Sequence, residues 1–533
     1  MPRLTLLAFL LSFFCWISAQ ISGEVQMNNN FFMRDSARGA FNTPQYNRQL
    51  FGADGWMALN YMSDGFQAGV RLDIHNNSNL HAPLQSFSQQ GIGRFYITKK
   101  IEELTVTGGY FYDQFANGIV FRSFEERALG IDNAIYGLHA KYELNQHIEL
   151  KGFSGRQKNR FDLFGSYIKG FNINTNYQFG KLYFNPGASW VNRTIDDQAM
   201  STIIAGINSQ PFDSRFSPVN NVYVYSYNHG LNWKNWSWDM EIGEKTSEAL
   251  FVVDSDGQRF ENRAGNVMYH SLTWSKRKLK LGKLKLKGIG ITGQFKRTEN
   301  FSFRVNPTET GLRGVINYLP PLTRQNAYRL PARYAAQSLE LSEVAKQLDV
   351  VFKLNNKVSG LFNTSHVTNL DGNLMFREFY GELKWKWKKK KITVKPGAQY
   401  LQLDQQTYGL KGEGLLTSIV PFVEVSKKLK KRSSIRGEYS VMMTEEDFGS
   451  WQWWLVEYTH KSKLSFSVSD MFNFEPTRTS ALHYPTVFAS YSKKANRYTL
   501  AYVKQVEGIV CTGGVCRYEP AFSGVRFTLN TTF

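Results

Sequence analysis

Nine histidines are the first residues to weigh for chemistry: His75, His81, His139, His147, His229, His270, His366, His460 and His483. A hydrolase would set one of them beside a serine or aspartate, because the imidazole must reach the proton it moves. In the sequence most fall singly, within or at the ends of strand-like stretches, and none belongs to a nucleophile motif. No zinc-type spacing is present, and no Gly-rich loop opens a helix. "DSDG" (254–257) begins like a calcium loop but lacks the later ligand positions, so it reads as a β-turn. The chain is read as no enzyme, with no cofactor and no metal.

Cysteine chemistry is confined to "CTGGVC", where Cys511 and Cys516 can close a small loop disulfide in an oxidising compartment. A two-ligand metal site is the alternative, but no His or carboxylate lies close by to complete it.

Two blocks concentrate the remaining chemistry. In "GGYFYDQFANGIVFRSFEERALGIDNAIYGLHAKY" (108–142), Phe115, Ile119, Val120, Phe121, Phe124 and Leu129 are interleaved with Arg122, Glu125, Glu126 and Arg127. Such a segment is too apolar to stand free in water and should fold inward against a wall. In "INYLPPLTRQNAYRLPARY" (316–334), Pro320, Pro321 and Pro331 exclude a continuous central strand. Arg313, Arg324, Arg329 and Arg333 have few acidic neighbours in sequence. They are expected to pair with carboxylates such as Asp73, Asp113, Asp239 or Glu241. The candidates for lining a lumen or constriction are Arg71, Asp73, Asp113, Arg122, Arg127, Arg324 and Arg329.

The elements that must position these residues are strands. "FQAGVRLDIH" (66–75) sets Phe66, Ala68, Val70, Leu72 and Ile74 against Gln67, Arg71, Asp73 and His75. "FNINTNYQF" (171–179) repeats the design, with asparagines on its polar face. Polar faces this rich in amides suit a wet lumen better than a sandwich core. The last ten residues, "GVRFTLNTTF", alternate in the same way. They resemble the C-terminal assembly signal of bacterial outer-membrane barrels, with Gly524, Phe527, Leu529 and Phe533 in the matching places and Phe522 where a polar residue is usual.

At the other end, "MPRLTLLAFLLSFFCWISAQ" has a basic start, an apolar run and a small-residue site. It reads as a signal peptide cleaved after residue 19. Beyond it no apolar run is long enough for a helical span, so a membrane form must be a closed barrel. Aromatics at 15%, with 43 Gly and only 15 Pro, suit many strands and tight turns. Short turns (Asp64–Gly65, Asn145–Gln146, Gly180–Lys181, Lys234–Asn235, and a longer Lys276–Lys285) alternate with long segments (76–90, 114–133, 194–220, 298–340, 507–522). The expected fold is therefore all-β: one large transmembrane antiparallel barrel of about 24 strands (range 22–26), with short periplasmic turns and long extracellular or inward-folded loops. Residues 20–533 form that single domain, with no room for a separate N-terminal plug domain of the kind TonB-dependent transporters carry. Trp233, Trp236, Trp274, Trp385 and Trp387 should form the periplasmic aromatic girdle, and Trp56, Trp190, Trp451 and Trp453 the opposite one.

A net charge of +20 sits largely in the short turns, at 275–287, 384–391 and 426–432. Lipid headgroups or an acidic envelope partner are the expected neighbours, not nucleic acid. Outer-membrane lipids and, during biogenesis, the barrel-assembly machinery are the other expected partners.

Both blocks and their spacing resemble a family of uncharacterised outer-membrane proteins of Bacteroidota, catalogued as a domain of unknown function. The resemblance implies a Gram-negative outer-membrane β-barrel and carries over no catalytic or binding residue. The expected function is a loop-gated pore or transporter for polar or anionic solutes. The alternative is a non-transporting scaffold barrel of an envelope or secretion complex.

Overall fold

In the computed structural model, residues 20–254, 257–387, 391–430, 432–477, 480–512 and 515–533 are described. The expected leader, the middle of "DSDG" and part of the 384–391 turn lie outside them. One sheet of 25 hydrogen-bonded segments dominates the chain. Two of these, Asp162–Thr175 and Tyr177–Phe179, are a single strand broken at Asn176, so the barrel has 24 strands. Every ladder is antiparallel, and Gln20–Phe32 closes the ring by pairing with both Phe51–Ser63 and Phe522–Thr532.

Alternation sets the two faces. Along Phe66–Ser78, Val70, Leu72 and Ile74 point outward at 39–50% exposure, while Arg71, Asp73 and His75 point inward at 2–5%. An apolar face left open and a charged face buried is the reverse of a water-soluble sheet. It is the pattern of a barrel whose outer solvent is lipid. Trp233, Trp236, Trp385 and Trp387 stay exposed beside the short turns, as a girdle requires. The opposite girdle is a correction. Trp56 and Trp451 are buried inside the barrel, Trp453 packs on the same inner cluster, and only Trp190 shares the outward parity. Trp56 has the parity of buried Asp54 and Ala58, which decides its face.

The closing seam depends on two glycines. Phe533 exchanges backbone hydrogen bonds with Gly23 at 2.8 and 2.9 Å. Its ring leaves no room for a β-carbon on Gly23. Gly524, at φ 156°, likewise leaves no room for a side chain against the Phe31 carbonyl.

Two segments depart from expectation. The Lys276–Lys285 turn is ladder instead, because alternating leucines carry the strand on to the Leu281–Leu284 pair. Seven residues thus continue past Trp274, extending the hairpin about 23 Å beyond the girdle. Within 194–220 lies a helix, Asp197–Asn208. Asp196 caps it by accepting from the Ala199 amide at 3.0 Å, and Ala199, Ile203 and Ile207 bury one stripe against Ala249 and Phe260.

Candidate functional site

The long-loop half of the lumen is filled by the chain itself. Segments 112–134 and 300–341 fold inward and pack on strand residues turned the same way. Phe115, Ile119, Val120, Phe121, Phe301, Phe303 and Ile316 meet Val191, Val222, Val224 and Val267 in one cluster, all at or near zero exposure. The two segments also bind each other: the Arg122 amide donates to the Ile316 carbonyl, and the Tyr318 amide to the Gly118 carbonyl, each at 2.8 Å. The Arg122 guanidinium lies between the rings of Phe124 and Tyr318, at 4.5 and 4.2 Å.

Ionic latches tie this plug to the wall. Arg71 on the wall reaches Asp73 (2.6 Å), Glu125 (2.5 Å) and Asp132 (2.7 Å), the last two on the plug. Lys158 adds a second wall cation to Asp132 at 2.5 Å, and Tyr112 donates to the same carboxylate at 2.7 Å. Burial alone would raise the Asp132 carboxyl, but Lys158 and Arg71 hold it down at about 2. Arg127 extends the network to Glu125 (2.9 Å) and to Glu24 on the first strand (2.6 Å). A second latch joins Arg193, Lys245 and Glu248, with Arg193 donating to the Arg304 carbonyl at 2.8 Å and Lys245 to that of Ser302 at 2.7 Å. In a third, Lys296 pairs with Glu343 at 2.8 Å and donates to the Pro320 carbonyl at 2.7 Å.

The expected arginine pairings are replaced by others. Asp73 pairs with Arg71, Asp113 with His139 (3.0 Å) and Lys151 (2.8 Å), and Glu241 accepts from the Asn117 amide at 2.9 Å. Arg333 instead approaches Asp447 at 3.5 Å, and Arg313 approaches Glu309 at 3.4 Å. Arg324 lies over the Tyr380 ring at 4.2 Å, and Arg526 over that of Phe522 at 4.0 Å. Arg329 keeps part of its surface exposed. Burial and repulsion from Arg333 bring its guanidinium down to about 10, so it keeps its charge at neutral pH. Among the described residues, Arg324, Arg329 and Arg526 make no ion pair. The seven lumen candidates thus divide: Arg71, Asp73 and Arg127 form one latch, Asp113 bonds His139 and Lys151, Arg122 bridges the two plug segments, and Arg324, which donates to Asn326 at 3.1 Å, and Arg329 make no ion pair among the described residues.

Toward the short turns the lumen is wet. Inner-wall ion pairs there keep solvent: Lys141 and Glu149 are 34% and 30% exposed, and Arg436 and Glu457 are both 33%. Val351, which also faces inward, is 51% exposed.

At the long-loop end a cavity of about 560 Å³ lies above the plug. Its walls include Trp56, His75 and His81, the turn Arg160–Phe161, plug residues 310–314, and the Ile509–Tyr518 hairpin. The histidines are less solitary than the sequence suggests. His75 is bonded to Asp54 at 2.6 Å, and its ring is 4.8 Å from that of His81. His483 meets Asp470 at 2.6 Å, and His460 meets Ser433 at 2.8 Å. The parts of a hydrolytic triad stay divided among the described residues. The imidazoles oriented by a carboxylate have no hydroxyl beside them, and the one beside a hydroxyl has no carboxylate. Cys511 and Cys516 stand directly opposite in the hairpin register.

The sequence did not single out Glu24, Asp132, Lys158, Arg193, Lys245, Glu248, Lys296 or Glu343. Wall members share parity with buried neighbours, a signal that strand alternation carries; their plug partners depend on loop folding, which it does not.

Residues 1–533 match the sequence model of the family of unknown function DUF6029, and the chain belongs to that family. No curated protein matches it. Among solved structures it is similar to the translocation pore of the P pilus usher PapC (10% identity, 96% of this chain and 99% of that one, TM-score 0.40). It is also similar to the siderophore receptor PirA from Pseudomonas aeruginosa (8% identity, 97% and 81%, TM-score 0.42). A third is OccAB2 from Acinetobacter baumannii (9% identity, 96% and 98%, TM-score 0.35). At these scores the likeness decides nothing about what the barrel carries.

Proposed function

We propose that this DUF6029 member is an outer-membrane barrel closed by its own inward-folded loops, which admits polar or anionic solutes when the plug shifts. The supporting observation is the character of the plug's attachment. Beside the apolar cluster that packs it on Val191, Val222, Val224 and Val267, the plug is held by charged latches such as Arg71 with Glu125 and Asp132, whose partners a solute's own charge can replace. Inside the barrel, Arg324, Arg329 and Arg526 make no ion pair among the described residues, and unpaired cations favour anions. On this reading the long loops face outward and the short turns face the periplasm. Residues 1–19 are a cleaved leader, and residues 20–533 are one barrel domain without a separate plug. Gly524, Phe527, Leu529 and Phe533 act in assembly, and the chain carries no catalytic chemistry. Cys511 and Cys516 are oxidised to each other, since residues opposite in an antiparallel ladder stand about 4.5–5.5 Å apart in Cα, within a disulfide's reach.

The test is a planar-bilayer recording in a KCl gradient, where anion-selective openings are expected. Persistent silence would move the protein to the second reading, a scaffold barrel. One feature favours that alternative: the hairpin past Trp274 carries seven cations from Lys276 to Lys287 and no acid. It also sets Lys280 directly opposite Lys285, an unfavourable pairing that an acidic envelope partner would relieve.

A further inference from the structure

On the wall of the cavity above the plug, one cation has no ion-pair partner among the described residues and a second is loosely held. Of the cations on its wall, Arg71, Arg127 and Lys158 are neutralised by Asp73, Glu125, Asp132 and Glu24. Arg517 has Glu519 at 3.3 Å and donates to the Leu80 carbonyl at 2.6 Å. Two remain. Arg160 makes no ion pair among the described residues, and Arg313 has only the 3.4 Å approach of Glu309 while half exposed. Burial and the nearby Arg313 charge both lower the Arg160 pKa.

The turn that presents Arg160 is tight. Asn159 pairs with Asp162, leaving a two-residue connection. Such a connection favours Asn-Gly, because its backbone needs positive φ. Here it is Arg160–Phe161, with Arg160 held at φ 59°. Both bulky side chains are fixed: Arg160 lies over the Phe87 ring at 4.8 Å, and Phe161 stacks on the same ring at 6.5 Å. Phe161, Phe164 and His81 then line the cavity, and Arg313 lies 5.8 Å from the Phe164 ring. Burial, with repulsion from His75 and Arg160, takes His81 down to about 4. At neutral pH it offers an uncharged ring.

We propose that this cavity binds a small ligand carrying an anionic group on a flat ring, with Arg160 and Arg313 holding the charge and Phe161, Phe164 and His81 facing the ring. Its volume suits a ligand of that class. A pair of guanidiniums matches a carboxylate or phosphate. The aromatic walls supply ring contacts that a purely ionic site would lack. The proposal rests on the reading of the long-loop end as the outward face, where a solute would first be captured.

The test is calorimetric titration of the purified full chain in detergent with naphthalene-2-carboxylate, and with naphthalene-2-methanol and acetate as partial probes. The carboxylate should bind, and each partial probe should bind at least about tenfold more weakly, a difference of about 1.4 kcal/mol. Arg160→Gln/Arg313→Gln should weaken the carboxylate about tenfold or more and leave the alcohol unchanged. Phe161→Ala should weaken both ring compounds. Heat-modifiable gel mobility checks that each variant is folded. No binding of the carboxylate, equal binding of the alcohol, or carboxylate binding unaffected by the double variant would each overturn the site. Binding needs no conduction, so the two readings fail separately. Silent bilayers with intact binding would remove the pore and keep the site; anion-selective openings without binding would do the reverse.

Discussion

One lumen holds two solvents. In its long-loop half, Arg193, Lys245 and Lys296 sit at essentially zero side-chain exposure, locked to carboxylates and to plug carbonyls among phenylalanines and valines. In its short-turn half, Lys141 and Glu149 pair as closely, at 2.7 Å, and Arg436 and Glu457 more loosely, at 3.9 Å, with about a third of each side chain in water. The residue types are the same; the surroundings differ. A dry ion pair costs much to break, because the surviving charge has nowhere to go, while a wet one is backed by solvent. The upper half therefore behaves as a folded core threaded through a barrel, and the lower half as a vestibule.

The largest expected contrast follows from that difference. Glu248→Leu strands Arg193 and Lys245 without an anion and should destabilise the fold by about 3–5 kcal/mol. Glu457→Gln in the wet half should cost no more than about 1 kcal/mol. Unfolding temperature, read from heat-modifiable mobility, measures both. Comparable losses at the two sites would erase the division between halves.

A smaller contrast compares apolar residues. Ile119 is fully buried in the plug, so Ile119→Val should cost about 0.5–1.5 kcal/mol. Val351 faces the wet lumen, and Val351→Ala should stay within about 0.5 kcal/mol. Equal costs would mean that the lower lumen is as dry as the upper.

The smallest effect is one of pH. Asp132 is held at about 2, below its ordinary 3.8. A depressed carboxylate contributes stability that is complete above its unfolded value and fades as pH falls through the folded one. Hydrogen exchange across 119–134, corrected for intrinsic rates, should be unchanged from pH 8 to pH 5. It should accelerate only between about pH 4 and pH 2. Loosening near pH 6 would mean that another group holds the plug.

The barrel was legible in the sequence because alternation writes it directly. Val70, Leu72 and Ile74 against Arg71, Asp73 and His75 fix two faces without any partner strand, and the long inward segments were visible as loops too apolar for water. What alternation cannot write is who meets whom. Asp132 and Arg71 are 61 residues apart in sequence, and only barrel closure and loop folding bring them together. That is why the arginines of the second block were matched to the wrong carboxylates. Trp56 and Trp451 misled because tryptophan near a strand end suits a girdle or a core equally, and only parity with buried neighbours separates the two. The Arg160–Phe161 turn lacks the Asn-Gly signature, so nothing local marked it. The helix Asp197–Asn208 did carry its signal, an Asp cap followed by Ala199, Ile203 and Ile207 at four-residue intervals.

The central claim is that the folded-in segment, rather than the barrel wall, closes the passage. Deleting residues 306–334 removes most of the second plug segment and its Arg324 and Arg329, while leaving the strands before and after it intact. Planar-bilayer recordings of the folded deletion variant beside wild type should show several-fold higher conductance with weaker anion preference. Silent bilayers for both proteins would contradict the account.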